Sequence, residues 1–133
     1  METFAPFRAG VVAVLEDVLP DVPLWDVIPD DVAELPCLVV GLPGGRPGAQ
    51  GPVVFDLDLT VFVVGRRTSA GGSEVELVGL LDEVFTAFGG TRGTRTPAGD
   101  VVAVARVDPR VLSVAGLDCP AFTVELEAST TTC

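Results

Sequence analysis

The segment from residue 53 to residue 65 constrains the fold most strongly, because apolar and polar residues alternate along it. A period of two is typical of a β-strand, whose successive side chains point to opposite faces of a sheet. One face is apolar throughout and consists of Phe55, Leu57, Leu59, Val61 and Val63. The other face begins with Asp56, Asp58 and Thr60 and turns apolar at Phe62 and Val64. We therefore expect the first half of this strand to have one solvated face. We expect the second half to be covered on both faces, by a helix or by a neighbouring subunit.

Two segments have the apolar spacing of three and four residues that is typical of amphipathic helices. The first covers residues 3–19, with Thr3 as the candidate N-cap and Pro20 at its end. The second covers residues 73–88, where Ser73 and Glu76 have the spacing of a capping box. The predicted buried face of the second helix consists of Leu77, Leu80, Leu81, Val84, Phe85 and Phe88. Each helix should pack this face against a sheet.

Shorter apolar runs predict further strands at residues 37–42, 101–107, 111–114 and 120–128, with a turn at residues 108–110. Glycine and proline clusters predict loops at residues 43–52 and 89–100. The acidic connection at residues 21–35 is expected to hold a short helical turn near residues 31–34. The sequence therefore predicts an α+β fold, with a mainly antiparallel sheet of four to five strands and two helices packed on one face. The predicted element order is α-β-β-α-β-β, in a single domain over residues 1–128 followed by a disordered tail at residues 129–133.

The available residue types limit the chemistry of the chain. It contains no His, no Tyr and no Lys, and general acid–base catalysis near neutral pH most often uses His. Its formal net charge of −11 would repel a phosphate backbone. We therefore expect a protein that is not an enzyme, binds no cofactor and does not bind nucleic acid sequence-specifically.

Membrane insertion and secretion are not expected either. The apolar runs of the chain, such as residues 61–65, are far short of the roughly 20 residues that span a bilayer. The N-terminal residues have no basic stretch followed by an apolar run, so we expect no signal peptide and folding in a cytoplasm.

Asp56 and Asp58 are the strongest candidates for a metal or acid–base site, because they lie two residues apart on one strand face. Two carboxylates supply few of the six to eight oxygens that Ca²⁺ usually takes, so a solvated face or a contact with a neighbouring arginine is the favoured interpretation. The cysteines Cys37, Cys119 and Cys133 have no metal-site spacing. Cys37 and Cys119 are expected to be structural, because there is no histidine to activate a thiol. No metal site is expected.

Arginines in the loops are the candidate partner contacts. Arg46 lies in a glycine-rich loop that lacks the GK[ST] ending of a phosphate-binding loop. Four more arginines stand in two other loops, Arg66 and Arg67 in one and Arg92 and Arg95 in the other. In an acidic chain, such loops can orient a head-to-tail contact with an acidic edge of the next subunit. The predicted interface residues are Arg46, Arg66, Arg67, Arg92, Arg95, Asp56 and Asp58.

Four segments together resemble the tail terminator family of long-tailed bacteriophages, which includes related tail-to-head joining and tail completion proteins. These segments are FAPFRAGVVAVLEDVLP, then PCLVVGLP with VVFDLDLTVFVVGRR, then ELVGLLDEVFTAF, and finally VVAVARVDPRVLSVAGLDCPAFTVELEAS. The likeness covers nearly the whole chain and is one of pattern, without an invariant motif.

The resemblance implies a small α+β domain that assembles into a ring, typically a hexamer, at the end of the tail tube. Such a ring stops tube polymerisation and offers a surface to the head connector and other neck proteins. DNA passes through its lumen without sequence-specific binding. The implied location is the virion, in the tail or neck, after assembly in the cytoplasm of a bacterial host. The family has no catalytic residues to carry over to this chain.

Three other functions fit the sequence. A head–tail connector or head completion protein would belong to the same machinery but would not bind the ends of the tail tube. A soluble binding module would work as a monomer or small oligomer without a ring. An enzyme would have to use Asp56, Asp58 or a cysteine.

Overall fold

The computed structural model of the protein describes residues 3–28, 36–47, 54–66, 72–97, 99 and 101–131. Within these ranges the chain forms two helices and seven strands. The helices are α1 (Phe4–Val18) and α2 (Gly72–Ala87). The strands are β1 (Leu24–Trp25), β2 (Cys37–Val40), β3 (Gly44–Pro47), β4 (Val54–Val64), β5 (Thr94–Arg95), β6 (Val101–Val114) and β7 (Leu117–Thr131).

All seven strands belong to one curled sheet. Its strand order is β1-β2-β4-β7-β6-β5, and β3 pairs with the first half of β4 on the same side as β2. The β1–β2 pair is parallel, and every other pair is antiparallel. The prediction of an α+β fold with a mainly antiparallel sheet of four to five strands is therefore wrong. The described chain is mainly sheet, and the sheet is mixed.

The additional strands form where the local composition predicts loops, because a longer strand offers them an open edge. β2 pairs only with residues 61–64 of β4. Residues 55–58 on the same edge of β4 are not paired with β2, so their backbone groups can pair with another strand. β3 pairs with them although it contains two glycines and a proline. β5 pairs in the same way with Val101 and Val102. The expected helical turn at residues 31–34 lies outside the described residues.

β6 is continuous through the predicted turn at residues 108–110, with one irregularity in its pairing between Val104 and Arg106. Its outer edge has a strand neighbour, β5, only at Val101 and Val102 within the described chain. Pro109 is tolerated because a proline can occupy an edge strand, where its missing N–H group need not face the ladder. β7 begins earlier than predicted and continues to Thr131, within the segment expected to be disordered.

The two helices pack on one face of the sheet and bury the main hydrophobic core. Helix α1 contributes Phe7, Val11 and Leu15, and the sheet contributes alternate residues of β4 and β7 such as Val61 and Leu126. On α2 the predicted face is confirmed at Leu77, Leu80, Val84 and Phe88, which are buried. The prediction is wrong for Phe85, which is 38% exposed, and Leu81 is only partly buried.

A second, smaller hydrophobic cluster lies on the opposite face of the sheet. It consists of Cys37, Val39, Val64, Val114, Cys119 and Ala121, with Phe62 and Leu112 packed against it. The second half of β4 is therefore covered on both faces, as the sequence predicts. The cover on this face comes from side chains of β2, β6 and β7, so neither a helix nor a neighbouring subunit is needed for it.

Candidate functional site

Four carboxylates of β4 and β7 share the sheet face that points away from the helices. Asp58 pairs across the ladder with Glu127, and Thr60 pairs with Glu125. Since alternate residues of a strand share a face, Asp56, Asp58, Glu125 and Glu127 form an acidic strip along β4 and β7. Like charges directly opposite each other in a sheet are destabilising. Within the acidic strip only Asp58 and Glu127 lie directly opposite each other, so the repulsion is confined to that pair.

Arg46 lies at one border of the acidic strip. Its strand, β3, pairs Arg46 with Asp56 and Gly44 with Asp58. Arg46, Asp56, Asp58 and Glu127 line a cavity of about 140 Å³. The structure thus brings together three residues that the sequence predicted for an interface, Arg46, Asp56 and Asp58.

β6 borders the other side of the acidic strip with basic residues. Arg106 pairs with Glu125 in the β6–β7 register, and its Nε atom lies 2.7 Å from Asp108 Oδ2. No carboxylate of the described residues is within ion-pairing distance of Arg110. These side chains, with Phe62 and Leu112, line an open groove of about 390 Å³.

Arg92 and Arg95, two of the arginines predicted for an interface, lie at the same end of the sheet as β6. Arg95 is in the terminal strand β5, where its Nη1 atom donates to the carbonyl oxygen of Gly99 over 2.7 Å. Arg92 is exposed in the turn that precedes β5. Together with Arg106 and Arg110, they make one end of the sheet predominantly basic. We call these four arginines the basic end.

The structure separates Arg66 from the basic end. Arg66 follows β4, and its Nε atom lies 3.8 Å from Glu76 Oε1 on α2. Both side chains are about half exposed, and exposed pairs of this kind contribute little to stability. Arg67 lies outside the described residues.

The opposite end of the sheet is acidic and has exposed apolar side chains. β1 is the terminal strand here, and the residues around it include Asp21 and Asp26, with Trp25, Val27 and Ile28 exposed. We call these five residues the acidic end.

Arg8 of α1 fixes the acidic end to the sheet. Its guanidinium donates to the carbonyl oxygens of Val40 and Gly41, each over 3.1 Å, and to Asp26 Oδ1 over 2.7 Å.

Arg106, Arg110, Glu125 and Glu127 were not among the predicted interface residues. The period-two spacing of Arg106, Asp108 and Arg110 is the signal that could have identified a charged strand face. Placing a turn at Pro109 concealed it, because a turn breaks the alternation.

Neither Cys37 nor Cys119 reaches solvent. Both cysteines are buried in the smaller hydrophobic cluster, and Cys133 lies outside the described residues. Within the described part of the chain, no three His, Cys, Asp or Glu side chains are grouped so that they could hold a metal ion.

Comparison with models of known protein families gives no match, and comparison with curated proteins gives none either. Neither described helix is both long and apolar enough to cross a membrane.

Proposed function

We propose that this protein is a structural subunit of a phage virion, which assembles with copies of itself into a ring at the end of the tail tube. The ring ends tube polymerisation and presents the surface to which the head connector and neck proteins attach. The observation that carries the proposal is the contrast between the acidic end and the basic end of the sheet.

A closed ring of identical subunits joined head to tail needs two different surfaces that complement each other. The basic end brings Arg92 and Arg110 to one edge, and the acidic end brings Asp21 to the other, where Asp26 is bound to Arg8 of the same chain. The acidic end also exposes apolar side chains, among them Trp25 and Val27, and aromatic residues are enriched at protein interfaces. Contact between unlike ends would place opposite charges together and fix the orientation of each subunit.

The overall charge supports the same function. A net charge of −11 makes a ring wall that repels DNA phosphates, so that DNA can pass through the lumen without being held. The likeness of four segments to the tail terminator family adds the location at the tail tube and the expectation of a hexamer.

The first test is the mass of the purified protein by light scattering, with negative-stain images of the same fractions, alone and with tail-tube protein added. Rings in either condition support the proposal. A monomer in both conditions would contradict it.

The second test is a charge exchange. Arg110→Glu and Asp21→Arg should each weaken ring formation, and the double variant should restore it, because the two charges are exchanged across the contact. A double variant as defective as the single variants, with normal melting curves, would show that these residues do not face each other.

A further inference from the structure

Three cavities surround the last turn of α1. Cavities of about 330, 640 and 320 Å³ share walls along this turn. Leu19 lines the first and third, and Val18 lines the second and third. Val18 is 46% exposed although it is apolar. The C-terminal end of α1 therefore lines three cavities, each of which is also lined by residues of the sheet or of α2.

Acidic side chains surround these cavities. Glu16 lines the first cavity, Asp17 the second, and Asp82 and Glu83 of α2 the third. The basic side chain beside them, Arg95, is bound to the carbonyl oxygen of Gly99. We call the surface formed by Glu16, Asp17, Val18, Leu19, Asp82 and Glu83 the acidic groove.

The charges of the acidic groove are unfavourable for the helix that bears them. Glu16 and Asp17 lie in the last turn of α1, and this turn contains no basic residue. Negative charge is disfavoured at a helix C-terminus, because the helix dipole is negative there.

Thr96 gives an independent indication of a ligand. It lines the largest of the three cavities, only 3% of its surface is exposed, and its Oγ1 atom has no hydrogen-bond partner in the described structure. A buried hydroxyl without a hydrogen-bond partner lowers stability. A donor group of a bound partner could remove this cost after a small movement of the cavity wall.

We propose that the acidic groove binds a basic, partly apolar segment of a different protein, in which arginine or lysine residues are interspersed with apolar residues. The apolar side chains of that segment occupy the cavities, and its cationic groups face the four carboxylates. A second copy of this chain is a poorer match, because its net charge is −11 and four of its eight arginines are bound within the chain. The arginines bound within the chain are Arg8, Arg66, Arg95 and Arg106.

The test uses the full chain and a short synthetic peptide in which leucines are interspersed with arginines. Binding is measured by calorimetry, and the site is mapped by backbone amide NMR shifts. A peptide with glutamate in place of each arginine is the control ligand. We expect saturable binding of the basic peptide alone, with shifts concentrated in the last turn of α1 and in the second half of α2.

Matched variants distinguish binding at the acidic groove from nonspecific attraction of the peptide to an acidic protein. Asp82→Asn with Glu83→Gln should weaken binding by about tenfold or more. Glu125→Gln with Glu127→Gln removes the same charge from the opposite face of the sheet and should leave the affinity within about twofold. Equal weakening by both pairs, shifts spread over the whole surface, or no binding would overturn the proposal.

Stability gives a second readout. Glu16→Gln with Asp17→Asn and, separately, Thr96→Val should raise the melting temperature, because each removes an unfavourable group, and each should weaken peptide binding. A purely structural role would not couple a gain in stability to a loss of affinity, so unchanged affinity in both variants would also overturn the proposal. Ring formation is measured separately, by light scattering of the protein without peptide.

Discussion

The carboxylate of Asp58 lies over the backbone of Gly44 in the adjacent strand. A Cβ atom added at Gly44 would lie 2.8 Å from Asp58 Oδ1, closer than van der Waals contact allows. Asp58 is exposed, so its side chain can rotate away. At Gly41, by contrast, an added Cβ would lie 2.9 Å from the backbone oxygen of Thr60, which cannot move without the strand.

We therefore expect opposite results from the same substitution at these two glycines. Gly41→Ala should lower the free energy of unfolding by about 1–3 kcal/mol, as other overpacking changes do. Gly44→Ala should change it by less than about 1 kcal/mol, because Asp58 moves and the unfolded chain loses some freedom. Urea unfolding of the two variants checks this difference. Equal losses would show that Asp58 is held as firmly as the backbone of Thr60.

Asp58 and Glu127 should repel each other across the β4–β7 ladder. Asp58→Asn and Glu127→Gln are each expected to raise the free energy of unfolding by about 0.2–1 kcal/mol at low salt. The double variant should gain less than the sum of the two, since either change alone removes the repulsion. A double-mutant cycle by chemical denaturation measures this coupling. Additive gains that do not decrease with added salt would contradict it.

Arg8 should stabilise the protein more than its ion pair alone suggests. Arg8→Ala removes donors to the carbonyl oxygens of Val40 and Gly41, and we expect a loss of about 1–3 kcal/mol. Asp26→Ala removes only the exposed ionic contact and should cost less than about 1 kcal/mol. Thermal or urea unfolding compares the two variants. If Asp26→Ala were as destabilising as Arg8→Ala, the carbonyl contacts would not be the important ones.

The buried face of α2 can be tested with two valines. Val84 is 0% exposed and Val78 is 47% exposed. Val84→Asp should prevent stable folding, because it buries a charge without a partner, whereas Val78→Asp should fold normally. Circular dichroism melting curves distinguish the two outcomes. Leu81 is half-buried, so Leu81→Asp should lower the melting temperature by an intermediate amount. If Val84→Asp melted cooperatively at the wild-type temperature, this helix face would be misassigned.

The two helices and the strands β2, β4 and β7 could be predicted from the sequence, whereas β1, β3, β5 and the continuity of β6 could not. The alternation in β4 and the apolar face of α2 are local signals. β3 and β5 exist only because β4 and β6 offer them open edges, and no local signal in the Gly44-Gly45 region predicts that pairing. The parallel β1–β2 pair depends likewise on how α1 returns the chain to the sheet.

The candidate site shows the same division. The sequence predicts that Asp56 and Asp58 share a strand face, and a plain alternation rule suffices for that. Their grouping with Arg46 depends on the pairing of β3, and the importance of Arg106 and Arg110 depends on a proline that remains within a strand. Proline is usually a turn former, so the local preference and the tertiary structure disagree at Pro109.

The central position of β7 has a consequence for the rate of folding. Its ladder with β4 joins residues that are far apart in the chain, from Val64 with Ala121 to Val54 with Thr131. The β6–β7 hairpin is local, and its turn has positive φ angles at Ala115 and Gly116, 51° and 80°, as a two-residue hairpin turn requires. The hairpin can form within roughly 1–10 μs, but its docking beside β4 must wait for closure of a long loop. Topologies of this kind fold over milliseconds to seconds, and until docking is complete the apolar face of β4 remains open to contact with other chains.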